Sequence, residues 1–353
     1  MRICYLADAG SIHIQRWIGY FAKKNYEIHL ISFRNRQIQG VTLHYLHPPI
    51  PFSFNLSYIF SIPKIRMMIK EIKPDLLHAY YATSYGLIGA YCNFRPFLVT
   101  CIGSDIMINL KKPILHGWIT KYALRKATFV TSVSRPITER IMEQGIPVER
   151  IKTIPLGVDH EKFFPSSQEQ KEFDLLSIRI LEPIYNIETI LKSFSYLKKD
   201  GFQGKLVIAG GGSQERRLKK LSISFGLSGY VNFVGAVSPD EVAKYLRASK
   251  IYLSMSLSDG ASTSLFEALA CGAFPIVSDI PANREWIVHG ENGFLVSPLD
   301  SRGLARCVIE AFNNPSLMET ATNKNFELIR NKAILQKNLE EMESIYHLMA
   351  KER

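Results

Sequence analysis

The feature that most constrains this chain is the regular alternation of short apolar runs with amphipathic segments over nearly its whole length. RICYLAD precedes a helical pattern over Ile14–Lys23, and EIHLISF is followed by one over Ile65–Ile72. DLLHAY leads to a helix near Tyr85–Tyr91, then PFLVTCI and the buried run ATFVTSV at Ala127–Val133. Ser134 and Pro136 supply the cap and first turn of another helix. Continuous apolar strands separated by helices are the pattern of a parallel sheet covered on both faces.

The rhythm pauses at RIKTIPLGVDHEKFFPSSQEQKEFD, where Pro155, Gly157 and Pro165 precede a polar tract. It then restarts with FDLLSIRI, KLVIAGGG, VNFVGAV, IYLSMS and FPIVSD, separated by helical patterns over Ile187–Leu197, Gln214–Phe225, Pro239–Ala248 and Ser264–Cys271. A length of 353 residues, at roughly 100–200 per domain, fits two domains. We place them at 1–162 and 163–334, with a helix at 335–353 packing back on the first. Each is expected to be doubly wound, and ligands of such sheets gather beyond the carboxyl ends of the strands.

Charge divides as sharply as the pattern does. Residues 1–162 hold 21 Lys and Arg against 10 Asp and Glu, whereas residues 163–353 hold 22 of each, so the whole net +11 lies in the first half. A basic half beside a neutral half points to an anionic partner, either a membrane surface or a phosphorylated substrate. Solubility is the alternative reading. Motifs that interleave aromatic and basic residues for nucleic acid are absent, so no nucleic-acid partner is expected.

Five cysteines, Cys4, Cys92, Cys101, Cys271 and Cys307, are odd in number and never spaced CxxC, which argues for a reducing compartment and against zinc. MRICYLAD suits a first strand better than a signal peptide. The longest stretch without charge, Gln37–Pro63, carries four prolines and two histidines, so no transmembrane segment is assigned. A cytoplasmic protein is expected, with peripheral contact to the cytosolic membrane face through the Pro/aromatic segment Leu46–Phe60, read as an interfacial loop above Lys64, Arg66 and Lys70 and joined by Lys111, Lys112, Lys121, Arg125 and Lys126; a packed loop is the alternative.

The segment SMSLSDGASTSLFEALACGA is the richest in chemistry. A strand ends, a polar loop containing Gly260 follows, and a helix opens around Ser262, Thr263, Ser264 and Leu265. Free N–H groups at such a start suit a diphosphate. Ser264 with Glu267 also fits a capping box, in which the Glu only satisfies the helix end. Asp259, eight residues before Glu267, makes a carboxylate pair suited to sugar hydroxyls. No nicotinamide fingerprint occurs: the first strand runs into ADAGS, and Gly210-Gly211-Gly212 has the wrong spacing.

These landmarks resemble the group 1 retaining glycosyltransferases, of GT-B fold. The resemblance rests on Pro155-Leu156-Gly157-Val158-Asp159 with Phe164-Pro165, on Arg179 after a strand, on VNFVGAV, and on Asp259-x7-Glu267 followed by ALACG. Further on come PIVSD, Glu285 and GENGFLV. It implies an α/β chain of two Rossmann-like domains facing a central cleft. It also implies transfer of a sugar from a nucleoside diphosphate donor to a glycan or lipid-linked acceptor, in polysaccharide or glycolipid synthesis, without metal or other cofactor.

By that resemblance Glu267 holds the donor ribose, Asp259 the sugar, and Arg179 with the Ser262–Leu265 helix start the diphosphate. Gly210 lies beside the donor and Gly235, Ala236 and Val237 beside the base. The family's lysine five residues after the arginine is Ile184 here, which leaves Tyr185 or Asn186 to donate hydrogen bonds in its place. In the first half Gly10, Ser11 and His13, then His78, then Gly103, Ser104 and Asp105 end three strands and are the acceptor candidates, His78 and Asp105 also as catalytic groups. For the three polar candidates His13, His78 and Asp105 a local structural role stands beside the functional one. The histidine common before that last glycine is Ile102. Two rival functions share the architecture: a nucleotide-sugar epimerase, and a sugar-nucleotide binding protein whose catalysis has lapsed.

Overall fold

The computed structural model describes residues 1–47, 57–108, 114–165 and 171–351. It comprises two compact units, Met1–Leu156 with Lys337–Arg353, and Gly157–Gln336. The division lies before Gly157, because Val158 bridges to Ile334 and its amide donates to the Ala333 carbonyl at 2.8 Å. All the excess positive charge lies in the first unit, which holds 23 basic and 12 acidic residues against 20 of each in the second.

The first unit is built on seven parallel strands: β1 Arg2–Leu6, β2 Glu27–Ser32, β3 Val41–Tyr45, β4 Leu76–Tyr80, β5 Phe97–Cys101, β6 Phe129–Ser132 and β7 Ile151–Thr153. Their order is β3-β2-β1-β4-β5-β6-β7. The central strands β4 and β5 are buried at every residue, as a sheet covered on both faces requires. Edge strand β3 has only half-buried and exposed positions, and β7 has three residues, so neither carries the unbroken apolar run that betrays the others.

The second unit holds β8 Phe173–Ile178, β9 Leu206–Ala209, β10 Val231–Gly235, β11 Ser249–Ser254, β12 Phe274–Ser278 and β13 Phe294–Val296, in the order β10-β9-β8-β11-β12-β13. Its core joins Leu175, Ile208, Ile251, Leu253 and Ile276 of the sheet to Ile190, Phe194 and Val308 of the covering helices. At about 25 cal/mol per Å2 such side chains stabilise the unit by roughly 1.5–3 kcal/mol each. The helices Ser301–Phe312 and Pro315–Lys332 add to those read from the sequence.

In both units the chain leaves the first strand in one direction and returns on its other side. The order therefore reverses between β1 and β4 in the first sheet, and between β8 and β11 in the second. Loops leaving those neighbouring strands diverge and leave a crevice at the carboxyl edge, where sheets of this kind hold ligands.

Candidate active site

Arg179 follows the last residue of β8, and the loop holding Asp259 follows β11, so the reversal point of the second sheet brings them together. Arg179 Nη2 donates to Asp259 Oδ2 at 2.5 Å, while Nη1 donates to Ser262 Oγ at 2.6 Å and Ser264 Oγ at 2.8 Å. The Tyr185 ring lies 4.3 Å from the guanidinium carbon, within cation–π range. The arginine side chain is only 8% exposed and that of Asp259 17%. Burial disfavours the guanidinium charge, but the Asp259 carboxylate together with Tyr252 and Tyr185 outweighs this and holds Arg179 above its ordinary range. Its Nε is buried and makes no hydrogen bond to the described residues.

A group absent from the sequence reading completes the cluster. Tyr252, fully buried in β11, shares a 2.7 Å hydrogen bond between its hydroxyl and Ser264 Oγ. Its signal in the chain is a tyrosine between Ile251 and Leu253, which periodicity cannot distinguish from a core aromatic.

Ser262 caps the helix Thr263–Ala270, its Oγ accepting from the Leu265 amide at 3.3 Å. The alternative capping box of Ser264 and Glu267 is therefore not formed: Ser264 is spent on Arg179 and Tyr252, and Glu267 lies half-buried in the second turn. The Leu265 amide is engaged by the cap, so Leu265 contributes packing. Gly260 donates its amide to Asp259 Oδ1 at 2.9 Å and fixes that carboxylate, and Thr263 is half-buried beside it.

Asn186 does not serve as a substitute for the missing lysine. Its Nδ2 donates to the carbonyls of Met255 and Pro298, at 3.2 and 2.7 Å, and its Oδ1 accepts from Thr189. The amide is consumed in tying its turn to the ends of β11 and β13, leaving Tyr185 as the residue of that pair on Arg179. Gly210 also has a structural cause. At φ +145° a Cβ there would fall 2.0 Å from the Arg179 carbonyl oxygen, so only glycine lets β9 pass the arginine's backbone. Its amide donates to the Gly235 carbonyl at 2.7 Å. Gly235, Ala236 and Val237 thus end β10 two strands from Arg179, with Ala236 exposed.

In the first unit the reversal point carries the loop Ala7–Ser11 and the segment after β4. Gly10 is exposed and donates to Asp8 Oδ1 at 2.8 Å, while Ser11 precedes the helix Ile12–Lys23, with His13 half-buried in its first turn. Gly103 and the exposed Ser104 follow β5.

His78 and Asp105 depart from the acceptor role. His78 is fully buried, with Nδ1 2.8 Å from the Tyr346 hydroxyl and Nε2 2.7 Å from Thr100 Oγ1, so both ring nitrogens are spent in the core. Burial pushes its pKa down to about 3. Asp105 is also fully buried, accepting from the amides of Ala82 and Gly103 at 2.9 Å each. Burial raises its pKa, and those two amide bonds oppose the rise. Asp105 follows the end of β5 as expected, whereas His78 is the middle residue of β4 and not its end, and each fixes neighbouring backbone or side chains.

Among the described residues, no group of three or more His, Cys, Asp or Glu side chains is placed to hold a metal ion, and no helix is long and apolar enough to cross a membrane. The uncharged segment Leu46–Phe60 lies largely outside the described residues, as do Lys111 and Lys112.

Two family models match the chain: "Glycosyl transferases group 1" over residues 159–327 and "Glycosyl transferase 4-like" over residues 2–134. The N-acetyl-alpha-D-glucosaminyl L-malate synthase of Bacillus anthracis is 24% identical, covering 98% of this chain and 95% of its own. The capsular polysaccharide biosynthesis glycosyltransferase CapM of Staphylococcus aureus is 23% identical, covering 95% and 93%. Among solved structures, sucrose-phosphate synthase from Thermosynechococcus elongatus has a TM-score of 0.86 at 16% identity over the full length of both chains. Anabaena HepE in complex with UDP-glucose has a TM-score of 0.81 at 16% identity, covering 98% and 99%. The likeness to these structures shows the GT-B fold, two Rossmann-like domains in one chain.

Proposed function

The chain belongs to the group 1 glycosyl transferases, and from that premise we propose that it moves a sugar, with retention at the anomeric carbon, from a nucleoside diphosphate sugar to a glycan or lipid-linked acceptor. One observation carries the donor side: the Arg179 fork at the reversal point of the second sheet, beside the start of the helix Thr263–Ala270. A buried guanidinium there meets the charge that develops on a departing diphosphate, and fixed donors in a water-poor site act most strongly on such charge. The first turn of the helix adds its own amides. Positive charge is thus supplied by the protein, and we assign the reaction no metal.

Asp259 and Glu267 are the sugar and ribose ligands in this reading, and Tyr185 stacks beside Arg179 where a second cation is missing. HepE was solved with UDP-glucose, which makes a uridine diphosphate sugar the first donor to try. The acceptor falls to the first unit, among Gly10, Ser11, His13, Gly103 and Ser104. Polysaccharide or glycolipid synthesis accords with the capsular relative.

The test is release of nucleoside diphosphate from UDP-, GDP- and ADP-sugars, with and without a membrane lipid extract, in the wild type and Glu267→Ala. Release confined to one donor, increased by lipid and absent in the folded variant, is the expected result. Unchanged release in Glu267→Ala overturns the donor-site assignment. The anomeric configuration of the product decides retention, and activity in EDTA decides metal independence. Conversion of donor without any acceptor would identify an epimerase.

A further inference from the structure

The first unit carries a face that the transfer chemistry leaves unexplained. The helix Ile62–Ile72 buries Ile62, Ile65, Ile69 and Ile72, and so turns Lys64, Arg66, Met67 and Lys70 outward. Arg66 Nη2 donates to the Tyr91 carbonyl, which ties this helix to the one at Gly86–Cys92. The Tyr91 ring packs 5.1 Å from Tyr122 in the helix Ile114–Lys126, and Tyr122 stacks on Trp118 at 5.4 Å and 14°. Lys126 Nζ lies 5.8 Å from the Tyr122 ring. These contacts make the three helices neighbours; the middle one is buried apart from the half-buried Tyr91, so the exposed side chains come from the other two.

Its chemistry is unusual for a solvated face. The helices Ile62–Ile72 and Ile114–Lys126 hold six cations and one carboxylate, Glu71. Among the cations stand large apolar side chains that water does not favour: Phe60 is 71% exposed, Met67 61% and Trp118 54%. Cations attract anionic headgroups, and apolar tips between them gain by leaving water for the acyl boundary. Trp and Tyr suit that depth, since each has an apolar body and a polar edge. A second copy of this chain would present the same positive charge and repel. The aromatic rings already stack on one another, which leaves fewer faces for nucleic-acid bases.

We propose that this face docks the protein on an anionic bilayer, with Phe60, Met67 and Trp118 entering the headgroup boundary and the flanking lysines and arginines holding anionic lipid. The proposal rests on the transferase reading only for its purpose, delivery of an acceptor at the bilayer. Docking itself is independent of it.

The experiment is sedimentation of the full chain with vesicles of phosphatidylcholine alone or mixed with phosphatidylglycerol, at low and high salt. Binding to the anionic vesicles only, weakened by salt, is expected. Each cation near the surface is worth about fivefold in affinity, so Lys121→Glu/Arg125→Glu/Lys126→Glu should bind at least about a hundredfold more weakly. Arg216→Glu/Lys219→Glu/Lys220→Glu, an equal charge change on the second unit, should bind as the wild type does. The single variants Trp118→Ser and Met67→Ser, at exposed positions, should each lose several-fold and keep the test readable if the first triple variant melts early.

Equal binding to neutral vesicles, no binding at all, or equal loss in both triple variants would overturn the proposal. So would an RNA oligonucleotide that binds more tightly than the vesicles and displaces them. Nucleoside diphosphate release measured without vesicles reports the transferase reading separately, so failure of either is distinguishable.

Discussion

Arg179 and Asp259 form a nearly buried ion pair at 2.5 Å, so under the proposed donor reading the carboxylate stands beside the guanidinium that would receive the diphosphate. In that reading donor and Asp259 compete for one fork. Asp259→Asn keeps the shape and removes the competing charge. Nucleoside diphosphate should therefore bind several-fold more tightly to the variant, while sugar transfer falls because a ligand of the sugar hydroxyls is weakened. Calorimetric titration with the free diphosphate checks this, and weaker binding would show that Asp259 assists the anion.

Arg179 should be irreplaceable in turnover. Removing a comparable oxyanion donor costs about 2.7–4 kcal/mol in the barrier, so Arg179→Ala is expected to lose about 10^2–10^3 in kcat. Arg179→Lys should recover little, because one ammonium on a flexible stem cannot span Ser262, Ser264 and Asp259 as a planar fork does. A kcat within tenfold of the wild type in either variant would remove Arg179 from the chemistry.

Tyr252 acts through Ser264 and is a positioning residue. Tyr252→Phe leaves the ring packed and deletes one buried hydrogen bond, a stability change of about 0.5–1.5 kcal/mol. If the hydroxyl orients Ser264 towards Arg179, kcat should fall several-fold with little change in KM for donor, and Ser264→Ala should add little on top of it. Independent, additive effects of the two changes would argue against a shared path.

Glu267 can be changed without loss of the helix start, since Ser262 caps it. Glu267→Gln should keep the melting temperature within a few degrees and lose donor-induced stabilisation. A large fall in melting temperature without ligand would instead mark Glu267 as a packing residue.

His78 makes stability depend on pH. An unfolded histidine takes its proton near 6.5, whereas the buried ring in the fold resists protonation down to about 3. Between those values the unfolded chain binds the extra proton, so His78's contribution is complete above about pH 6.5 and is lost as pH falls towards 3. The slope is on the order of 1.4 kcal/mol per pH unit. Urea unfolding from pH 7 to 4, with His78→Asn for comparison, should show a steeper acid loss in the wild type. Parallel curves would mean that the ring is not held neutral.

The strands and helices that position both reversal points were legible because their signals are local. An apolar run such as FDLLSI or LVIA declares a buried strand wherever it stands, and the order of Arg179, Asp259 and Glu267 along the second half already pointed to one site. Short or half-exposed elements such as β3, β7 and β13 lacked that signal. The amide of Asn186 looked available in the chain and is not, because its partners, Met255 and Pro298, lie 69 and 112 residues away.

By itself the sequence determined two α/β units, the family, the uneven charge and the segment proposed for donor chemistry. Tertiary structure alone decided which polar side chains at the strand ends face the carboxyl edge and which turn into the core. His78 lies within β4 and Asp105 just beyond β5, where Tyr346, 268 residues further on, closes over one and the amides of Ala82 and Gly103 enclose the other. Tyr252 reaches the candidate site for the converse reason, since its strand aims the hydroxyl at Ser264. A side chain's chemistry is written at its own position, but its burial and its partners are set by residues far away in the chain, which no local pattern records.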